Sequence, residues 1–173
     1  MDSMEGFRKM TISGVVVDPD SKAPTLVLKD DDGRFLLPIW VGVMEAGAVT
    51  AALEGVVSPR PMTHELIVNI LETLGATLES VRITALEHDT FHAGIEILVE
   101  SRNGPRRRSI DCRASDALAL AARTSAPIFV RQDVVAAAAI VVQTAGLGVG
   151  AGTGALEELL ASLPDEVFGK YET

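Results

Sequence analysis

Strand-forming apolar and β-branched residues occur in six main runs, which polar turns or helical segments separate. The clearest turns are the acidic run 30–33, which ends in glycine, and Asn103-Gly104, because both permit a tight hairpin. His88-Asp89 supplies a third turn. The runs predict strands over 12–18, 25–29, 34–40, 77–87, 90–100 and 105–112, and a shorter strand over 127–130.

Other segments place apolar residues at the spacing of a helix face. Thr63 is expected to cap a helix with a stripe of leucine and isoleucine that ends at Gly75, and Ser115 is expected to cap an alanine-rich helix. A first alanine-rich helix is predicted over 45–55, and a short one over 133–142.

Two strand-to-helix segments, 39–52 and 110–123, match at a constant offset of 71 residues. The match places Glu45 on Asp116, and its other identities are alanines. A duplicated unit explains this pattern, but two unrelated amphipathic helices would give the same match. Both explanations stay open from the pattern alone.

The order of elements is three strands, two helices, three strands, a helix, a short strand and a helix. Because strands and helices do not alternate, the order predicts an α+β fold with mostly antiparallel pairing. The two three-stranded units, each with its helix, are expected to form a single barrel-like sheet with flanking helices, since closure removes exposed edges.

The chain is predicted to have three parts. Residues 1–143 form the main domain, glycines at alternate positions make 144–154 a linker, and 155–173 form a helical extension. A second copy of the chain is an expected partner, because the apolar helix at 133–142 and the extension could each pack on another subunit.

Composition narrows the class of protein. A hydrophobic content of 47% supports a sizeable core, but no apolar run is long enough to span a membrane. The single cysteine, Cys112, cannot form an internal disulfide and lies in an apolar strand, which favours a structural thiol and a cytoplasmic location. A net charge of −9 disfavours passive binding to nucleic acid but permits contact through a metal ion.

The first polar cluster lies in the segment 60–65. Arg60 could hold an anion at the start of a helix, where His64 could act as a general base or a metal ligand. The structural alternative is that Thr63 caps the helix, Glu65 complements its dipole and His64 packs.

The second polar cluster follows strand 105–112. Asp111 and Arg113 share one strand face, and Asp116 and Arg123 lie near one helix face. Carboxylates such as Asp111, Asp116 and Glu45 could bind Mg²⁺ or Mn²⁺, while the arginines could hold phosphate oxygens. The structural alternative is a helix cap with an internal ion-pair network. The only dense basic patch is Arg102, Arg106, Arg107 and Arg108, which is either a solvated hairpin or a nucleic-acid contact.

Several of these segments together resemble the bifunctional nuclease domain family. The resemblance rests on the segment 35–42, on Ala52-Leu53-Glu54-Gly55, on Arg60-Pro61-Met62-Thr63-His64-Glu65-Leu66 and on Arg113-Ala114-Ser115-Asp116-Ala117-Leu118-Ala119, in the family's order. It implies a duplicated β3-α arrangement around one barrel-like sheet, and DNase and RNase activity.

Two functions are compatible with these residues. In the first, the chain is a metal-assisted phosphodiesterase, in which Glu45, Asp111 and Asp116 bind the cation, His64 activates water, and Arg60, Arg113 and Arg123 hold phosphate. In the second, it is a non-catalytic oligomeric or regulatory module that binds a small anion in the same polar pocket.

Overall fold

A computed structural model describes residues 5–17 and 22–142. The predicted linker 144–154 and extension 155–173 lie outside the described residues, so both stay predictions. The described strands are β1 (Phe7–Val17), β2 (Pro24–Asp30), β3 (Phe35–Trp40), β4 (Ala76–Glu87), β5 (Thr90–Val99), β6 (Arg106–Arg113), β7 (Ile128–Arg131) and β8 (Ile140–Val141). The described helices are α1 (Val43–Leu53), α2 (Thr63–Thr73), α3 (Ala114–Thr124) and α4 (Gln132–Ala138).

All eight described strands form one sheet, in the order β6-β5-β4-β7-β1-β2-β3-β8. Every neighbouring pair is antiparallel except β4 and β7, which are parallel. The predicted α+β class and the mostly antiparallel pairing are therefore confirmed.

The sheet curls but does not close within the described residues. The short helix α4 contacts both β3 and β4, which are four positions apart in the sheet, so the sheet must bend around it. No hydrogen-bonded ladder joins the described edge strands β6 and β8. The expected closure into a barrel is thus not found there, and no second described strand pairs with the outer edge of β6.

The two halves of the sheet share one plan. Strands β1 to β3 form an antiparallel meander followed by α1, and β4 to β6 form a second antiparallel meander followed directly by α3. Helix α2 lies between α1 and β4 in the chain. Strand β7 joins the meanders by pairing with both β1 and β4. The shared plan accords with a duplication, which stays a prediction.

The core lies between the sheet and the alanine-rich helices. Residues 117–121 of α3 are all buried, and Ala46 and Val49 of α1 are buried beside them. Small side chains let α1 and α3 approach each other closely, so the first turns of both helices come together. None of the described helices is long and apolar enough to cross a membrane.

Several predicted boundaries were wrong. Met62 and Arg113 occupy the N-cap positions of α2 and α3, so Thr63 and Ser115 fall inside the first turns. Helix α4 ends at Ala138, because the backbone becomes extended at Ala139 and β8 then pairs with the edge of β3. Strand β1 begins five residues before the predicted start, because its first residues pair with β7.

Candidate functional site

The first turns of three helices carry an acid at the third helical position. These acids are Glu45 of α1, Glu65 of α2 and Asp116 of α3. Negative charge there is favoured because the unpaired N–H groups of a helix start carry partial positive charge. Helix geometry alone therefore accounts for an acid at each position, and only further contacts can indicate a site.

Arg113 joins two of these acids from the end of β6. Its Nε donates to Asp116 Oδ2 at 2.7 Å, and its Nη2 donates to Asp116 Oδ1 at 3.0 Å and to Glu45 Oε1 at 2.8 Å. The Arg113 side chain is 67% exposed, so it closes the cluster on its solvent side.

His64 contacts the same carboxylate from α2. Its Nε2 lies 3.2 Å from Asp116 Oδ1, and the ring is mostly buried. A neutral imidazole that donates from Nε2 leaves Nδ1 as a hydrogen-bond acceptor. Nδ1 makes no hydrogen bond with any described residue. The geometry is that of a base oriented by a carboxylate.

The charges of the cluster reinforce one another. The hydrogen bonds from Arg113, and then that from His64, hold the pKa of the Asp116 carboxyl below its usual value, against the opposing effect of burial. The bonds to Asp116 and Glu45 raise the pKa of the Arg113 guanidinium. Asp116 is therefore ionised at neutral pH and Arg113 stays charged.

Cys112 lies directly before this cluster. Burial, followed by the charges of Asp116 and Asp111, raises the pKa of its thiol to about 11. The thiol is therefore protonated at neutral pH, which argues against a nucleophile.

Arg123 belongs to a neighbouring contact. Its Nη1 lies 3.0 Å from Glu65 Oε1 and donates to the Val56 carbonyl at 3.1 Å, while Glu65 Oε2 accepts from the Met62 N–H at 2.8 Å. The side chains of Arg123 and Glu65 are only 18% and 16% exposed. Arg123 thus fastens the end of α3 to the start of α2 rather than facing solvent.

Two predicted site residues do not join the cluster. Asp111 is exposed and pairs across the sheet with Gly94, while its neighbour Cys112 packs against the core on the other face. Arg60 is exposed in the segment before α2. Neither makes a hydrogen bond or ion pair with any described residue of the cluster.

Comparison with known proteins decides the family. The model of the bifunctional nuclease domain matches residues 26–143, which include α1, α2, α3 and all the site residues. The chain belongs to the bifunctional nuclease domain family. The expected resemblance is therefore confirmed.

Relatives of this bifunctional nuclease domain include bacterial and plant proteins. An uncharacterised protein of Mycobacterium tuberculosis is 36% identical over 134 residues, which cover 78% of this chain and 77% of the relative. Bifunctional nuclease 1 of Oryza sativa subsp. japonica is 33% identical over 108 residues, or 62% of this chain and 32% of the plant protein. Bifunctional nuclease 1 of Arabidopsis thaliana is 33% identical over 110 residues, or 63% and 34% of the two chains.

The expected metal set of Glu45, Asp111 and Asp116 does not fit a resident ion in this arrangement. Within residues 5–17 and 22–142, no three or more His, Cys, Asp or Glu side chains are grouped so that they could hold a metal. The guanidinium of Arg113 binds both Glu45 and Asp116, so it already supplies the positive charge that a cation would bring. A requirement for Mg²⁺ or Mn²⁺ stays a prediction.

Sequence reasoning missed two contributions to the cluster. Glu65 was assigned only to the helix dipole, because nothing in one sequence pairs it with Arg123. Gly42, the N-cap of α1, leaves room for the Glu45 carboxylate, since a Cβ at Gly42 would collide with Glu45 Oε2. Its sequence signal is a glycine three residues before the acid.

Proposed function

We propose that this chain hydrolyses phosphodiester bonds in DNA or RNA, and that His64 and Asp116 are its catalytic pair. The observation that carries the proposal is the contact of His64 Nε2 with an Asp116 carboxylate that Arg113 also holds. Membership of the bifunctional nuclease domain family and the plant relatives named as nucleases support the reaction class.

His64 would act as the general base. With a proton on Nε2 and that nitrogen bound to Asp116, the free Nδ1 can take a proton from a water molecule or a ribose hydroxyl as that oxygen attacks phosphorus. The bond from phosphorus to the leaving ribose oxygen then breaks, and the imidazolium or solvent returns a proton to that oxygen. Asp116 would hold the ring in this tautomer and stabilise the imidazolium that forms. A positioned base of this kind contributes about 10²- to 10⁴-fold to the rate.

Arg113 would bind the phosphate. Two of its nitrogens are used by Asp116 and Glu45, while Nη1 makes no hydrogen bond to a described residue and lies on an exposed side chain. A guanidinium has five N–H donors, so two remain for phosphate oxygens. Glu45 would keep the guanidinium in place, and the exposed Arg60 is a further candidate phosphate contact. We assign Arg123 to positioning α2 rather than to phosphate.

The alternative is a non-catalytic module that binds a small anion in the same place. The charge of the cluster does not decide between the two functions, because both require an anionic ligand at Arg113. The contact of His64 with Asp116 favours catalysis, since binding an anion needs no oriented base.

The proposal is tested with the purified full chain and end-labelled single-stranded DNA and RNA, each assayed in EDTA, Mg²⁺ and Mn²⁺. We expect Asp116→Asn to slow cleavage at least 10²-fold, because His64 loses its carboxylate partner. The matched control is Asp111→Asn, which removes an exposed carboxylate outside the cluster.

The outcomes of this assay separate the alternatives. Equal cleavage by wild type and Asp116→Asn would show that the activity comes from another site or a contaminant. Equal loss in Asp111→Asn and Asp116→Asn, together with complete inhibition by EDTA, would support the three-carboxylate metal site instead. If the chain binds the oligonucleotide but cleaves it in none of EDTA, Mg²⁺ and Mn²⁺, the non-catalytic module is supported.

We also propose that the chain forms a homo-oligomer through α2. No residue of α2 is buried, and Met62, Leu66, Ile70 and Leu74 are 47–68% exposed along one side of it. Asn69 and Thr73 complete this side, which has no charged residue. Two copies that each carry a net charge of −9 can approach most readily at an uncharged apolar face.

A cytoplasmic location remains part of the proposal. Its support is the single cysteine, Cys112, whose thiol is partly buried against the core and would persist unoxidised in a reducing compartment.

A further inference from the structure

The edge of the sheet at β6 is strongly basic although the chain is acidic. Residues 102–113 contain five of the chain's 15 lysines and arginines but only one acid, Asp111. The chain as a whole has 24 acids and a net charge of −9. With five arginines and one acid, this segment carries a local net charge of +4 within an acidic chain.

The arginines of β6 differ in their contacts. Arg107 binds Glu79 of β4 with two hydrogen bonds, of 2.7 and 3.1 Å. Arg106 and Arg108 are exposed and make no ion pair with a described residue. They stand opposite Val99 and Ile97 of β5, so both project from one face of the sheet about 7 Å apart. Within the part of the chain that the structure describes, these two charges are therefore open to an anionic ligand.

The same strand leads to the proposed catalytic pair. Strand β6 ends at Arg113, which is also the N-cap of α3. The Arg113 guanidinium donates hydrogen bonds to the Asp116 carboxylate. From Arg106 to Arg113 the strand spans about 23 Å at the usual rise per residue. Charged residues on an edge strand also prevent unwanted strand pairing, but that role needs no continuation into a site.

We infer that the edge strand β6 binds the phosphodiester backbone of nucleic acid through Arg106 and Arg108 and guides it to the end of the strand. Arg106 and Arg108 lie on the face of β6 that Cys112 shares, which is the face that the core packs against. Arg113 alternates with them, but its guanidinium lies against the first turns of α1 and α3, where the strand ends. The inference rests on the proposed function for the identity of the ligand. Lysine and arginine contacts of this kind bind phosphate without reading the sequence. Single strands and duplexes share that chemistry, so the test includes both.

The test measures binding without cleavage, by fluorescence anisotropy of labelled 12-nucleotide single-stranded and duplex DNA with the full-length His64→Ala chain. Arg106→Gln/Arg108→Gln is compared with Lys9→Gln/Arg34→Gln, which removes two exposed positive charges elsewhere. We expect the β6 variant to weaken single-strand binding at least tenfold and to lower the slope of log K against log salt by about 1.4, since each lost phosphate contact contributes about 0.7. The control is expected to change affinity less than twofold.

The outcomes of this binding experiment either support or overturn the proposed role of Arg106 and Arg108. Equal weakening in both variants would overturn the inference, because only net charge would then matter, and so would no measurable binding of either DNA. Aggregation of the β6 variant with unchanged affinity of its soluble fraction would show that the arginines only protect the edge. If the β6 variant alone loses affinity while the wild type cleaves nothing, the binding surface stands and the proposed hydrolysis fails.

Discussion

At the scale of single residues, Arg113 links three elements of the chain. It lies at the end of β6 and binds Asp116 of α3 and Glu45 of α1, while His64 of α2 contacts the same Asp116 carboxylate. The preference for negative charge in a first helical turn accounts for an acid at Glu45 and at Asp116. It does not explain why one guanidinium contacts both acids and why an imidazole contacts Asp116. The convergence is what distinguishes a candidate site from three helix starts.

The ionised Asp116 should make stability depend on pH. Its folded pKa is lowered by Arg113 and His64, so the unfolded chain binds a proton more readily than the folded chain. The stabilisation is fully present above the usual carboxyl value of 3.8 and is lost as the pH falls through the lower folded value. We expect the stability difference between wild type and Asp116→Asn to shrink between pH 6 and pH 3, as measured by urea unfolding.

The control for this pH experiment is Asp111→Asn, which lies outside the cluster. The difference between wild type and Asp111→Asn should change much less over the same pH range. A difference for Asp116→Asn that stays constant from pH 6 to pH 3 would contradict the ion pair with Arg113.

At the scale of elements, the sequence predicted the strands better than the helix ends. Turn residues are local signals, and His88, Asp89 and Gly104 do adopt the positive φ angles that such turns need. The helix starts were misplaced because Thr63 and Ser115 are good caps by type. The observed N-cap lies one residue earlier in α2 and two residues earlier in α3, and both N-cap residues are extended. The residue type preferred at an N-cap does not show at which residue the preceding strand or loop ends, and that residue determines where the helix begins.

The end of α3 offers a test of local strain. Ser125 is the C-cap and lies in the left-handed region with φ of 58°. Glycine adopts this conformation without a Cβ penalty, so Ser125→Gly should raise the free energy of unfolding by about 0.5 kcal/mol. Urea unfolding measures the change.

The matched control for Ser125→Gly is Ser109→Gly in β6. Ser109 is also exposed but does not have a positive φ, so glycine there should lower stability. Destabilisation by Ser125→Gly as large as that by Ser109→Gly would contradict the strain at the C-cap.

At the scale of the whole molecule, the open curled sheet depends on pairings that are distant in sequence. Strand β7 lies between β1 and β4, antiparallel to β1 and parallel to β4. Strand β8 pairs with part of the edge of β3. No local pattern encodes which of two possible edges a four-residue strand will join. The candidate site has the same limit. The sequence hypothesis places His64 and Asp116 in one site, but not the direct contact between them across 52 residues, nor the exclusion of Asp111 from it.

The proposed oligomer also belongs to this scale. If α2 pairs with a second copy, Leu66→Lys/Ile70→Lys should place charge in the interface and give an 18.3 kDa monomer. Sedimentation velocity of the full chain measures the change. Val17→Lys, at an exposed apolar position of β1, is the control and should leave the wild-type assembly unchanged. A monomeric wild-type chain would contradict the proposal.

The central claim is that His64, held by Asp116, performs phosphodiester hydrolysis, and the single-turnover cleavage rate of His64→Ala tests it most directly. The matched control is His88→Asn, since His88 is an exposed histidine in the turn between β4 and β5, and asparagine tolerates its positive φ. We predict that His64→Ala cleaves an end-labelled oligonucleotide about 10²- to 10⁴-fold more slowly than wild type, whereas His88→Asn stays within twofold. Equal rates for wild type, His64→Ala and His88→Asn would contradict the account.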